Sequence, residues 1–251
     1  MKILLVNKYL YRKGGAETYF IKLGEYLKSL GNEVEYFGMA DERNCVGNRV
    51  EAYTENIDFH KKSLKHITYP FKIIYSVNAR KQIRKVLSDF KPDVVHLNNF
   101  NYQLTPSIIY EIKKHNIPIV YTAHDVQLVC PNHKLKNDYT DGLCRKCDGG
   151  KYFECVKNNC VHSSKIRSIL GAVEAWYYKL RHTYKMIDLT VCPSEFMEKE
   201  ISRNDDINGR TVTMYNFIDE IKPLGAECEN YVLYFGRYSE EKGISNLVKA
   251  A

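Results

Sequence analysis

The chain has 251 residues, 44% hydrophobic and 27% charged, fractions that exclude wholesale disorder, a collagen-like repeat and a coiled-coil rod. Lys+Arg exceed Asp+Glu by 37 to 30, a formal net charge of +7. Residues 61–91, with nine basic residues against the one acid Asp89, carry +8 of it, so the remainder is near neutral and the protein is not basic throughout.

Met1-Lys2-Ile3-Leu4-Leu5-Val6-Asn7-Lys8 has too few apolar residues between its lysines for a signal peptide, and no small-residue cleavage site follows. No window approaches the roughly 18 apolar residues of a spanning helix. The expectation is a cytoplasmic protein, where structural disulfides are rare.

Ile3-Leu4-Leu5-Val6 reads as a buried strand. Residues 16–30 follow with Phe20, Leu23, Leu27 and Leu30 at helical spacing and Gly31 as a stop. Val34-Glu35-Tyr36-Phe37 is a second strand, residues 75–90 a basic helix, and Val94-Val95-His96-Leu97 a third strand after Pro92-Asp93. A helix over 107–115, the strand Ile119-Val120-Tyr121-Thr122, and a cysteine-rich stretch over 130–162 come next. A long helix over 166–184, the strand Leu189-Thr190-Val191, a helix over 195–201 and the strand Val212-Thr213-Met214 close the series.

Strands alternating with helices predict an α/β fold: a doubly wound, Rossmann-like parallel sheet with a cysteine-rich insertion. That domain spans 1–222. Residues 223–230 read as a linker, and a fresh strand, Tyr231-Val232-Leu233-Tyr234-Phe235, opens residues 231–251 with a helix starting near Gly243. About twenty residues bury no core of their own, so 231–251 reads as the cut-off start of a second domain.

Gly14-Gly15-Ala16-Glu17 follows the first strand and opens the first helix. Glycines there admit a ligand to the backbone, and free amides at a helix N-terminus suit a phosphate or sugar oxygen. A plain tight turn is the alternative. The dinucleotide fingerprint GxGxxG is absent, which argues against an NAD-dependent enzyme.

Cys144-x-x-Cys147 and Cys155-x-x-x-x-Cys160 lie seven residues apart, with Cys130 upstream and His133 and His162 nearby. Paired thiolates on short turns match a tetrahedral structural zinc site; two disulfides or unligated thiols are the alternatives. Cys45, Cys192 and Cys228 are isolated.

On the helix over 75–90, Ala79, Ile83, Val86, Leu87 and Phe90 form an apolar stripe, with Arg80, Lys81, Arg84 and Lys85 off it. Clustered cations beside Ile67, Tyr69, Phe71, Ile73 and Ile74 suit an anionic membrane surface through 61–91, against a solvated outer face. No recognised motif supports nucleic acid as a partner.

Six segments occur in order: Gly14-Gly15-Ala16-Glu17, Pro92-Asp93-Val94-Val95-His96, Thr122-Ala123-His124-Asp125, Pro193-Ser194, Asn216-Phe217-Ile218-Asp219, and Phe235-Gly236-Arg237-Tyr238-Ser239-Glu240-Glu241-Lys242-Gly243. Together they resemble the GT-B glycosyltransferases of family 4, in which two Rossmann-like domains flank a cleft. The resemblance implies a retaining, hexosyltransferase-type transfer from a nucleotide-sugar donor to a glycan or lipid-linked glycan acceptor, in cell-surface polysaccharide synthesis. It implies no cofactor for catalysis, so the zinc would be structural.

On that likeness His124 contacts the donor sugar as the catalytic-site histidine, Gly14 and Gly15 lie near donor phosphate and acceptor, and Arg237 and Lys242 hold the diphosphate. His96 reads better as a core histidine. The insertion, directly after His124-Asp125, would flank the acceptor mouth. The family's paired-glutamate motif and nucleoside pocket lie beyond this chain, so the fragment is expected to have little or no activity alone. A non-catalytic module that binds a glycan or a partner and carries a zinc knuckle is the competing reading. The localisation implied is cytoplasmic, peripheral on the inner face of the membrane.

Overall fold

The computed structural model describes residues 1–56, 74–137, 142–218, 230–236, 238 and 242–250. They fall into two compact units, Met1–Phe217 and Ile218–Ala251.

In the first unit six strands form one parallel sheet in the order β2-β1-β3-β4-β5-β6. The strands are β1 (Lys2–Val6), β2 (Glu33–Phe37), β3 (Val94–Leu97), β4 (Ile119–Thr122), β5 (Leu189–Cys192) and β6 (Thr211–Thr213). The helices are α1 (Gly15–Ser29), α2 (Val77–Phe90), α3 (Ser107–Lys114), α4 (Phe153–Lys157), α5 (Lys165–Leu180) and α6 (Glu195–Ile201). The second unit contributes α7 (Ile244–Ala250).

Side chains alternate across a strand, and β1 shows the result. Ile3 and Leu5 pack with Phe20 and Ile21 of α1 and with Val34 and Tyr36 of β2. Leu4 and Val6 join the larger core on the other face, with Ala79, Ile83, Val86, Leu87 and Phe90 of α2 and Ile108, Ile109 and Ile112 of α3. Both faces are covered, which is the doubly wound architecture expected.

Local chemistry sets the boundaries. The Ser76, Ser164 and Ser194 hydroxyls cap α2, α5 and α6 by accepting from the Ala79, Arg167 and Met197 amides. Lys91 closes α2 in the left-handed region (φ 50°) ahead of Pro92. The long helix ends at Leu180 rather than 184, because His182 turns left-handed (φ 47°) and Thr183–Met186 continues as a 3₁₀ turn. Leu30, counted in the α1 stripe, lies past the helix end and is exposed.

One expectation fails. Residues 231–235 form no strand among the described residues; their side chains are mostly exposed, with no neighbouring strand to pair. On the cationic face of α2, Lys81 and Lys85 are exposed, while the two arginines are engaged. Arg80 and Arg84 both reach across to Glu111 of α3, at 2.8 and 2.6 Å, and Arg49 pairs with Asp89. Residues 61–73 of the basic segment lie outside the described residues.

Candidate functional site at the carboxyl edge of the sheet

In an open parallel sheet, ligands bind beyond the carboxyl ends of the strands where the strand order reverses. Here that point lies between β1 and β3, and the loops after β1, β3 and β4 carry the polar residues. Gly14 caps α1 in extended conformation (φ −163°, ψ −167°), with no side chain occupying the helix's first amides. A Cβ placed on Gly15 would meet nothing within 4 Å, and one on Gly14 would meet only the Glu17 carboxylate at 3.3 Å. The space beside this turn is open.

His124 follows β4. Its Nε2 lies 2.8 Å from Asn98 Oδ1, beyond β3. Its ring meets Tyr19 of α1 edge to face, with centroids 5.4 Å apart. Tyr19 thus joins the helix opened by the two glycines to the predicted histidine. Burial pushes the His124 pKa down to about 4, against the charge of Asp125, so the ring is neutral at pH 7. With Nε2 donating to an amide oxygen, Nδ1 is left as an acceptor. The Asn98 Nδ2 is buried and finds no partner among the described residues, an unusual state for an amide donor. His96 bonds Thr122 Oγ1 at 2.7 Å, and burial, with the charge of His124, holds it down at about 4. That is the core histidine expected.

A second cluster, missed as a unit from the sequence, adjoins His124. His133 Nδ1 lies 3.3 Å from Asp125 Oδ2, and its ring stacks on Tyr102 at 5.8 Å. Lys8 Nζ sits 4.8 Å from the Tyr102 ring centroid and 3.4 Å from Asn101 Oδ1. Tyr102 and His133 both adopt positive φ, 59° and 62°, the kind of strain that collects at functional sites. Glu174 of α5 also faces His133; burial raises its pKa to about 7 while the His133 charge lowers it. Lys8 and Asp125 closely follow the ends of β1 and β4, but His133 lies eleven residues past β4 and Glu174 is on α5, so strand ends mark only part of the cluster.

Burial lowers the His133 pKa, but the Asp125 hydrogen bond and charge more than offset it and carry the value above the ordinary one. Burial raises Asp125, and the His133 hydrogen bond brings it below its ordinary range. His133 therefore contributes stability below the usual imidazole pKa, lost as pH rises through its raised value. Asp125 contributes above the usual carboxylate pKa, lost as pH falls through its lowered one. An NMR titration should place the His133 imidazole above the ordinary histidine value, and Asp125→Asn should drop it below. An unchanged midpoint in Asp125→Asn would refute the pairing.

Cys144, Cys147, Cys155 and Cys160 converge, joined by Cys130, around one cavity of about 10 Å³. All five are free thiols, so the disulfide alternative does not hold for them. Cys130 Sγ donates to Asn132, Cys144 Sγ accepts from Asn137, and Cys147 and Cys155 pack with Tyr152 and Ala172. Burial first, then the neighbouring thiols, pushes the Cys147 thiol up to about 12. Among the described residues no group of three or more His, Cys, Asp or Glu side chains is placed to hold a metal ion. Cys228 and Arg237 lie outside the described residues. Lys242 is exposed just before α7.

The fold and site define a doubly wound α/β domain whose carboxyl-edge loops present an open glycine turn and a neutral histidine. The model of Glycosyltransferase Family 4 matches residues 13–221, and the chain belongs to that family. An uncharacterized 42.6 kDa protein in a cps region of Klebsiella pneumoniae is 26% identical over 267 residues, covering 100% of this chain and 65% of its own length. The chain thus spans just under two thirds of that relative. Among solved structures, Anabaena HepE in complex with UDP and glucose aligns over 87% of this chain and 45% of its own, at 14% identity and TM-score 0.46. Sucrose-phosphate synthase from Thermosynechococcus elongatus aligns over 85% and 47%, at 16% identity and TM-score 0.49. Among the described residues no helix is long and apolar enough to cross a membrane.

Proposed function

We propose that residues 1–222 are the acceptor-side domain of a retaining glycosyltransferase, and residues 231–251 the start of its donor-side domain. The enzyme moves a sugar from a nucleotide-sugar to a glycan or lipid-linked glycan acceptor at the cytoplasmic face of the membrane, in cell-surface polysaccharide synthesis. Family membership supports the transfer, and the relative in a cps region fits the setting. The observation that carries the reading is the open Gly14-Gly15 turn joined through Tyr19 to the neutral His124, with the buried Asn98 amide beside it.

The free amides of α1 take a donor phosphate oxygen. The neutral His124 and the Asn98 Nδ2 offer an acceptor and a donor to sugar hydroxyls without adding a charge. Arg237 and Lys242 would hold the diphosphate, whose charge grows as the glycosidic bond breaks. This chain alone is expected to show little or no turnover.

The test titrates the chain with a panel of UDP-, GDP- and dTDP-sugars, following the His124 imidazole by NMR and label transfer to lipid extracts in parallel. One member should shift His124 at millimolar concentration, with transfer at background. A silent His124 across the whole panel would sink the donor reading, and robust transfer would sink the half-site reading.

A further inference from the structure

The face of α5 turned away from the core is apolar where a solvated helix would be polar. Ser168, Ala172 and Tyr178 are buried. Ile166, Ile169, Val173, Trp176 and Leu180 are exposed, Ile166 at 73% and Leu180 at 80%. Their spacing of three, four, three and four residues places them in one continuous stripe. Phe153 of α4, 62% exposed, extends it. Between α4 and α5 lies an open groove of about 610 Å³ whose apolar walls include Val156, Ile169 and Val173, edged by Lys157 and Lys165.

The charge around the stripe is predominantly positive, with Glu154 of α4 the acid beside it. Residues 151–181 hold six basic and two acidic residues. Glu174, the acid of α5, faces His133. Lys151, Lys157, Lys165 and Arg167 are exposed, and none appears in an ion pair among the described residues. On α2, by comparison, Arg80 and Arg84 share the single carboxylate of Glu111. Trp176 donates its indole N–H to the Gly150 carbonyl at 2.9 Å, so the ring carries no unmet donor into an apolar surrounding.

We propose that the α4–α5 face docks on an anionic lipid bilayer, the stripe entering the headgroup–acyl boundary and the flanking cations meeting the lipid phosphates. Charge selects this occupant. Two copies joined through the face would bring like charges together, and a polyanion without an apolar layer would leave the stripe wet. The inference is independent of the transferase reading and moves the expected membrane contact from 61–91 to a different surface.

Trp176 is the only tryptophan in the chain, so its emission reports the contact directly. Large vesicles of phosphatidylcholine alone are compared with vesicles holding about a third phosphatidylglycerol. Binding should be at least tenfold tighter to the anionic vesicles, with a blue shift of Trp176 that high salt reverses. Ile166→Glu with Leu180→Glu, both on exposed positions, should cut binding about tenfold with the melting temperature unchanged, whereas Lys81→Glu with Lys85→Glu should not. Equal binding to both vesicles, no blue shift, wild-type binding by the stripe variant, or loss of binding in the Lys81 and Lys85 variant would overturn the proposal. So would a dimer in sedimentation that the stripe variant dissolves.

Discussion

Removing both guanidiniums that hold Glu111, by Arg80→Ala with Arg84→Ala, is expected to destabilise the domain by about 3–5 kcal/mol in urea denaturation. The Glu111 carboxylate is 2% exposed and its two partners come from α2, one turn apart. Stripped of them, it keeps the full cost of a buried charge. Adding Glu111→Leu to the double variant should restore much of the loss, since an apolar side chain of similar size has nothing to desolvate.

The same site has a pH signature. The Arg84 hydrogen bond comes first among the causes that hold the Glu111 pKa down at about 2; burial opposes it and Arg80 adds to it. A carboxylate lowered on folding contributes stability that is full above its ordinary value and lost as pH falls through the folded one. The triad's share, on the order of 3 kcal/mol before the partial exposure of Arg84 is discounted, should therefore disappear between about pH 4.5 and 2. If the double variant loses stability with acid as steeply as the wild type over that window, the triad is not the source.

Gly38→Ala should be nearly as damaging, for a steric reason. A Cβ there would collide with the Asn7 backbone carbonyl and lie 2.8 Å from Leu10 Cδ2. Neither can yield cheaply, because Asn7 N donates to Phe37 O and Met39 N to Lys8 O, 3.1 and 3.0 Å, pinning both chains. Overpacking of this kind costs about 3 kcal/mol, roughly 6–12 °C in Tm for a domain of this size. Lys8 rides on the displaced loop, so the His133 imidazole signal should move as well. Gly15→Ala is the contrast: with open space at its Cβ it should melt like the wild type while losing any response of His124 to nucleotide-sugars. Equal melting of Gly38→Ala and wild type would show that the loop relaxes.

The sheet was legible because its strands are short apolar runs buried on both faces, bounded by Pro, Gly and polar residues. β3 and β4 fall on the expected residues and β6 begins one earlier. α4 was not read, since five residues show no helical period and its buried residue, Cys155, was counted with the thiols. The glycine turn and His124 could be read because each stands at a strand or helix end. The His133–Asp125–Tyr102 cluster could not, because it depends on left-handed turns that bring distant loops together. The pairing of Arg80 and Arg84 is hidden for a related reason: Glu111 is 31 and 27 residues away, and helical spacing carries no information about a partner on the next helix.

The strand order also constrains how the protein is made. β1, at the start of the chain, lies inside the sheet and pairs with β3, Leu4 opposite Val95. A ribosome adding residues from the N-terminus must therefore release about ninety of them before β1 gains its second neighbour. Until then β1 presents an open apolar edge, the kind of surface that recruits chaperones or other nascent chains.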